Sequence, residues 1–153
     1  MEGRVTGDQI AVVVDANLVM ALAIPAPYTD RAAARIESWQ REGVALYAPL
    51  LWEYELVSAL RKGVALGVLR EEQVAPALEH VFALEIQSVP PDPAGHGEAV
   101  RWAARIGQPV AYDAQYLALA ERLGAAFWTA DRRLAARARE AGAEWVHDLL
   151  DDE

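Results

Sequence analysis

The chain contains no cysteine, which removes disulfides, thiolate zinc sites and cysteine nucleophiles together. Its three histidines, His80, His96 and His147, include no i,i+4 pair, so an imidazole-based metal site has little to start from. Each is read as a structural or surface residue. No apolar run approaches the roughly 18–20 residues that a membrane span needs. The opening "MEGRVTGDQI" lacks the apolar centre of a signal peptide. A cytoplasmic protein without membrane association is the expectation. Stretches of the form GxGxxG, GxxxxGK[ST] and GxSxG are also missing, which leaves a dinucleotide enzyme, a P-loop NTPase and a serine hydrolase without motif support.

Positive charge is in short supply as well. Fourteen Lys and Arg face 23 Asp and Glu, for a net charge of −9. That balance argues against a protein that holds nucleic acid by broad phosphate neutralisation. It is compatible with an enzyme working through bound cations, because carboxylates that hold metal inflate the negative count. Two basic pairs, Arg61-Lys62 and Arg132-Arg133, read most simply as solvated helix residues.

What remains is a chain of 153 residues, 54% apolar, enough for one domain with a substantial core. The expectation is a single domain over 1–153, with 1–9 and 150–153 poorly ordered. "AVVVD" (Ala11–Asp15) is a β-branched run of the kind buried on both faces of a sheet. The apolar segment "NLVMALAI" follows as a short helix and stops at Pro25 and Pro27. Thr29 and Asp30 open an amphipathic helix to about Glu42, with Ala33, Ile36 and Trp39 on its inner side and Gly43 ending it. Val44–Pro49 reads as a strand, and Leu50 to about Lys62 as a helix with Leu51, Tyr54, Val57 and Leu60 at helical spacing. A helix from Arg70 to Leu84 begins with acids that suit its dipole. "EIQSVP" is read as a third strand, "PDPAGHG" as a break, and Glu98–Ile106 as a helix. Asp113–Leu123 is helical, Ala125–Thr129 a strand, Asp131–Ala141 a helix and "EWVHDL" a last strand.

Strands alternating with helices imply an α/β fold with a mainly parallel sheet covered on both faces. In such sheets ligands bind outside the carboxyl ends of the strands. Asp15 ends the first strand, and Asp131 follows the Ala125–Thr129 strand by two residues, so both belong to that rim.

Each acid also has a plainer reading. Asp15, Asp113 and Asp131 stand where helices begin and could serve as N-caps. Asn17 could share the capping at Asp15. Glu55 lies at the border of an apolar helix face, and a lone Glu there is usually a surface residue; its neighbour Glu53 is expected to be solvated. Taken together, four carboxylates on one rim would repel strongly unless protons or a hard cation compensated. An all-oxygen set without His or Cys suits Mg²⁺ or Mn²⁺, the ions that serve phosphodiester cleavage.

The order of three segments, "VVVDANLVMAL", "APLLWEYELVSALRK" and "AYDAQYLALAERLGAAFWTADRRL", resembles the PIN-domain family, especially VapC-type toxins of bacterial toxin–antitoxin pairs. The resemblance runs from about Val12 to Leu134. It implies a three-layer α/β/α sandwich and a Mg²⁺- or Mn²⁺-dependent endoribonuclease acting on RNA. The family's acids fall on Asp15, Glu55, Asp113 and Asp131. Asp15 and Asp113 would bind metal directly, Asp131 directly or through water, and Glu55 would hold the metal's water or a second ion. Thr129 matches the family's small hydroxyl residue, while Ser58 stands where Asn is common. Asn17, Ser58 and Thr129 would support the acids, and Arg61, Lys62, Arg132 and Arg133 would contact RNA. The resemblance further implies a homodimer neutralised by a small antitoxin. Two alternatives stay open: a catalytically silent binding module, and a metal-dependent phosphatase or DNA nuclease.

Overall fold

Four consecutive residues, Ala11 to Val14, have no exposed surface. They form most of strand β2 (Gln9–Val14) at the centre of the sheet in a computed structural model, which describes residues 3–6 and 9–151. β2 is flanked on one side by β3 (Ala45–Pro49) and then β4 (Gln87–Val89). On the other side lie β5 (Ala126–Thr129) and β6 (Val146–Asp148). These pairings are all parallel, with Val13 opposite both Tyr47 and Phe127. A further strand, β1 (Gly3–Thr6), runs antiparallel to the start of β2. A strand enclosed on both faces has no solvent side to accommodate, which is why β2 reads as a continuous apolar run.

Helices cover both faces, giving the expected three layers. The connections run through α1 (Ala16–Met20), α2 (Thr29–Glu42), α3 (Leu51–Ala65) and α4 (Val74–Phe82) on the way to β4. They then run through α5 (Pro93–Arg105), α6 (Tyr112–Leu123) and α7 (Arg132–Glu140). Successive residues of a strand point to opposite faces, and β5 shows this directly. Phe127 meets Tyr116 of α6 at 5.8 Å between ring centroids. Trp128, one residue later, meets Trp39 of α2 edge-on at 5.5 Å. α5 packs outside the sheet against α6. Trp39, Trp52, Tyr116 and Phe127 are among the largest fully buried side chains, each contributing roughly 1.5–3 kcal/mol by leaving water. Among the described residues no helix is long and apolar enough to cross a membrane.

Several boundaries differ from the sequence reading, for physical reasons. The helix expected from Glu98 begins five residues earlier, at Pro93. Asp92 caps it by accepting from the Gly95 N–H at 2.7 Å, and proline is well suited to the first helical turn. The capped start outweighs the two glycines that suggested a break. On α3 the buried stripe is Trp52, Leu56 and Leu60, not Leu51, Tyr54 and Val57. Trp52 sets that rotation: it packs on Phe82 at 5.3 Å and donates from Nε1 to Ser88 Oγ at 2.7 Å. Tyr54 and Val57 are consequently exposed. On α2 the inner residue is Ala32, and Ala33 faces out. The helix expected over Arg70–Leu84 divides into a 3-10 turn, Glu71–Gln73, and α4. Of the ends expected to be poorly ordered, residues 3–6 form β1, and Leu150 is tied by an N–H bond to Asp148 Oδ1 at 2.8 Å. Residues 1, 2, 7, 8, 152 and 153 lie outside the described residues.

The connectivity locates the site. From β2 the chain moves outward through β3 to β4, then returns to add β5 on β2's other side. The strand order therefore reverses between β2 and β5, and a crevice opens at their carboxyl ends. Asp15 and Thr129 are the residues found there.

Candidate active site

Asp15 follows β2 directly and is 6% exposed. Its backbone N–H donates to the Trp128 carbonyl at 2.9 Å, extending the β2–β5 ladder by one residue. Its side chain caps α1, with Oδ1 accepting from the Asn17 N–H at 3.3 Å. Oδ2 accepts from the Thr129 hydroxyl at 2.9 Å. Thr129 is fully buried, and its oxygen accepts in turn from Asn17 Nδ2 at 3.3 Å and the Asp131 N–H at 3.0 Å. One donor and two acceptor positions are all that a hydroxyl offers, and all are used. Asn17 closes the ring by accepting from the Ala130 N–H at Oδ1, 3.2 Å. Asn17 and Thr129 thus both hydrogen-bond the Asp15 carboxylate.

Burial pushes the Asp15 carboxyl up to about 7, against the opposing pull of the Thr129 and Asn17 bonds. The negative charges of Asp113 and Glu55 add to the rise. These three acids therefore share one electrostatic neighbourhood although they come from β2, α3 and α6.

Glu55 is half-buried, and its Oε1 accepts from the Tyr116 hydroxyl at 2.6 Å. Burial raises the Glu55 pKa, the Tyr116 bond lowers it and Asp113 raises it again. Tyr116 is 1% exposed. Burial, followed by the charges of Asp15 and Glu55, holds its phenol far above the usual range and keeps it a donor. Asp113 lies inside the first turn of α6 rather than at its N-cap, which is Ala111. The capping role is thus corrected for Asp113. Its Oδ2 accepts from Gln108 Nε2 at 2.9 Å.

Asp131 does cap its helix, accepting from the Leu134 N–H at Oδ1, 3.1 Å. It is exposed, and its backbone rather than its carboxylate meets Thr129. Ser58 is exposed on α3. Glu53, expected in solvent, is half-buried and accepts from the Ser88 hydroxyl, because Trp52 draws Ser88 toward α3. Arg61, Lys62, Arg132 and Arg133 are all exposed. Arg132 is engaged at the end of β6: Nη2 donates to the Leu150 carbonyl at 2.6 Å, and Nε lies 3.7 Å from Asp148. Of the histidines, His147 stacks on Trp128 at 4.7 Å and His96 pairs with Gln115 at 3.0 Å.

Among the described residues, no set of three or more Asp, Glu, His or Cys closes around one ion position as the side chains stand. The donor chemistry nevertheless fits a hard divalent cation. A buried carboxylate beside two other acids is stabilised by positive charge, and Mg²⁺ commonly takes only one or two carboxylates directly, with waters and phosphates completing its shell.

Three positioning residues escaped the sequence reading. Tyr116 stands three positions after Asp113, a spacing that puts both on one helix face, and this was a usable signal. Gln108 reaches Asp113 from the turn before α6, which no helical period reveals. Tyr28 donates to the Asn17 carbonyl at 3.3 Å, and its phenol pKa is raised by burial and then by the Asp15 charge.

Comparison with known proteins gives one consistent result. The family model for the PIN domain matches residues 12–140. A curated relative, Ribonuclease VapC3 of Pyrobaculum aerophilum, is 32% identical over 130 residues, covering 80% of this chain and 91% of that one. The crystal structure of PAE2754 from Pyrobaculum aerophilum is 28% identical with a TM-score of 0.65, covering 91% of this chain and 83% of that one. Two further structures share the fold. VapBC2 from Rickettsia felis, bound to a DNA fragment from its promoter, has a TM-score of 0.60 at 13% identity, covering 90% and 98% of the two chains. FitAcB from Neisseria gonorrhoeae has a TM-score of 0.59 at 22% identity, covering 84% and 93%.

Proposed function

This chain belongs to the PIN-domain family, and on that premise we propose that it is a metal-dependent endoribonuclease cleaving RNA phosphodiester bonds. The observation that carries the proposal is Asp15: a carboxylate at the β2–β5 crevice, fixed by Thr129 and Asn17 and raised in pKa chiefly by burial and then by the charges of Asp113 and Glu55. A group in that setting calls for a cation. The name of the relative, a ribonuclease, supports RNA as the substrate.

Asp15 and Asp113 would hold Mg²⁺ or Mn²⁺, with Asp131 reaching it through water, since Asp131 is exposed and already caps α7. When bound, such an ion supplies positive charge to phosphate oxygens and acidifies a water molecule. The chain's own groups do the rest. Thr129 and Asn17 fix the orientation of Asp15, and Gln108 that of Asp113. Tyr116 holds Glu55 Oε1, leaving Oε2 to accept a proton from the attacking water. The protein would act as one domain over residues 1–153 in the cytoplasm.

A toxin role within a toxin–antitoxin pair, as a homodimer, completes the reading. Exposed Val57, Leu66, Val68 and Phe82 around the α3–α4 hairpin support an apolar partner surface such as a small antitoxin would cover. The deciding experiment is cleavage of mixed RNA with and without Mg²⁺ or Mn²⁺. Activity is expected to need the metal and to vanish in Asp15→Asn and Asp113→Asn with circular dichroism unchanged. Full activity in both variants would overturn the proposal. Growth arrest on expression, relieved by the product of a short neighbouring reading frame, is the expected sign of the toxin role.

A further inference from the structure

A cavity of about 300 Å³ is walled mainly by Leu51, Val89, Pro90 and Leu119 together with the rings of Tyr54 and Tyr112, and none of the four candidate carboxylates lines it. The two tyrosines are the chain neighbours of Glu55 and Asp113. They are 66% and 61% exposed, unusual for large rings that the core has not claimed. Two acids of the site are thus each preceded by an aromatic ring, and both rings belong to one cavity.

The chemistry of the walls narrows the occupant. The cation among them, Arg122, is bound by Nη1 and Nη2 to the two oxygens of Asp92, at 3.0 Å each. Its charge is thereby matched, and the cavity offers a phosphate little attraction. Polar atoms are confined to a few positions, including the His96–Gln115 pair. The volume is at the small end of ligand pockets, which run roughly 300–1,000 Å³. A flat, uncharged ligand with apolar faces and polar edges fits those walls. A nucleobase is such a ligand. The chain's net charge of −9 adds a second consideration. Affinity for RNA has to come from something other than broad phosphate neutralisation, and stacking on aromatic rings is an alternative that tolerates a negative protein.

We propose that this cavity is a base-binding subsite for single-stranded RNA, in which Tyr54 and Tyr112 stack an unpaired nucleobase adjacent to the phosphodiester presented to Asp15 and Asp113. The proposal rests on the nuclease reading and names the side chains that would hold a base of its substrate. A base inside a duplex is already stacked and paired, so the subsite selects loops, ends and single strands.

The test uses a short single-stranded oligoribonucleotide and a matched one carrying abasic positions. Wild type, Tyr54→Ala, Tyr112→Ala, Tyr54→Phe and Tyr112→Phe are compared. Each alanine variant is expected to raise KM about tenfold, the scale of a lost base–aromatic stack, with kcat within about twofold. The phenylalanine variants are expected to behave as wild type, because the ring and not the hydroxyl stacks. Abasic RNA should raise the wild-type KM and add little to that of the alanine variants. Equal KM for abasic and intact RNA in the wild type would overturn the subsite, as would unchanged KM in both alanine variants. Light scattering runs alongside: alanine variants that lose a dimer while keeping KM would assign the cavity to a second copy of the chain. Absence of any RNA cleavage by the wild type would sink the nuclease reading itself. Fluorescence anisotropy with labelled RNA then decides the subsite separately, by whether the alanine variants bind more weakly than wild type.

Discussion

The hydroxyl of Thr129 donates to Asp15 Oδ2 at 2.9 Å, joining residues 114 positions apart. Because both acceptor positions of that hydroxyl are also taken, Asp15 has no substitute donor from the same residue. Thr129→Val keeps the shape and removes the donor, leaving a buried carboxylate oxygen unsatisfied. A loss of about 1–3 kcal/mol is expected by urea denaturation near neutral pH. Thr129→Ser, which keeps the hydroxyl, is expected to lose less. A larger loss in Thr129→Ser than in Thr129→Val would show that the methyl group, not the hydrogen bond, is what matters.

The raised pKa of Asp15 has a stability consequence with a definite sign. Its value moves from 3.8 to about 7 on folding. A group raised in this way contributes stability that is fully present below its unfolded pKa and is lost as pH climbs through the folded one. In EDTA the protein should therefore weaken between pH 4 and 7, by roughly 4 kcal/mol from this group alone. Thermal melts of wild type and Asp15→Asn check this, and the variant is expected to show a flatter profile. Mg²⁺ or Mn²⁺ at pH 8 is expected to restore the wild type and not the variant.

Tyr116→Phe tests how Glu55 is tuned. The 2.6 Å bond from Tyr116 lowers the Glu55 pKa, so its removal lets burial and Asp113 raise it further. The acid limb of the pH–rate profile is expected to move to higher pH, with activity on the alkaline side retained. A uniform drop at every pH would mean that Tyr116 serves only packing.

The basic residues are expected to divide. Arg132 spans Asp148 and the Leu150 carbonyl, so Arg132→Ala should loosen the end of β6 and lower the melting temperature. Arg61→Ala, Lys62→Ala and Arg133→Ala are expected to leave melting unchanged. Each that contacts phosphate should reduce the salt dependence of RNA binding by about one counterion. Binding measured across a salt series separates the two groups.

Local pattern carried much of this architecture. The unbroken apolar run of β2 announced a strand enclosed on both faces, and the Asp15 and Asp131 caps could be read from their neighbours. What local pattern does not contain is rotation about a helix axis. The turn of α3 is set by Trp52 reaching Ser88, a partner 36 positions away, and this pushed Tyr54 outward against its apolar character. The Asp113 cap failed for a similar reason. α6 starts one residue earlier, which frees the carboxylate for Gln108. Tyr116 looked like core by its spacing and is core by its burial, but its hydroxyl is aimed at Glu55, 61 positions away. Polar endpoints on buried residues are set by tertiary contacts that no short window of sequence holds.

The seam between β2 and β5 also joins parts of the chain that lie far apart in sequence. Asp15 precedes Thr129 by 114 positions, yet each needs the other to complete the ring at the crevice. Without β5, Asp15 lacks the Thr129 hydroxyl that fixes its carboxylate. The Asp15 carboxylate is therefore oriented only once this strand is in place.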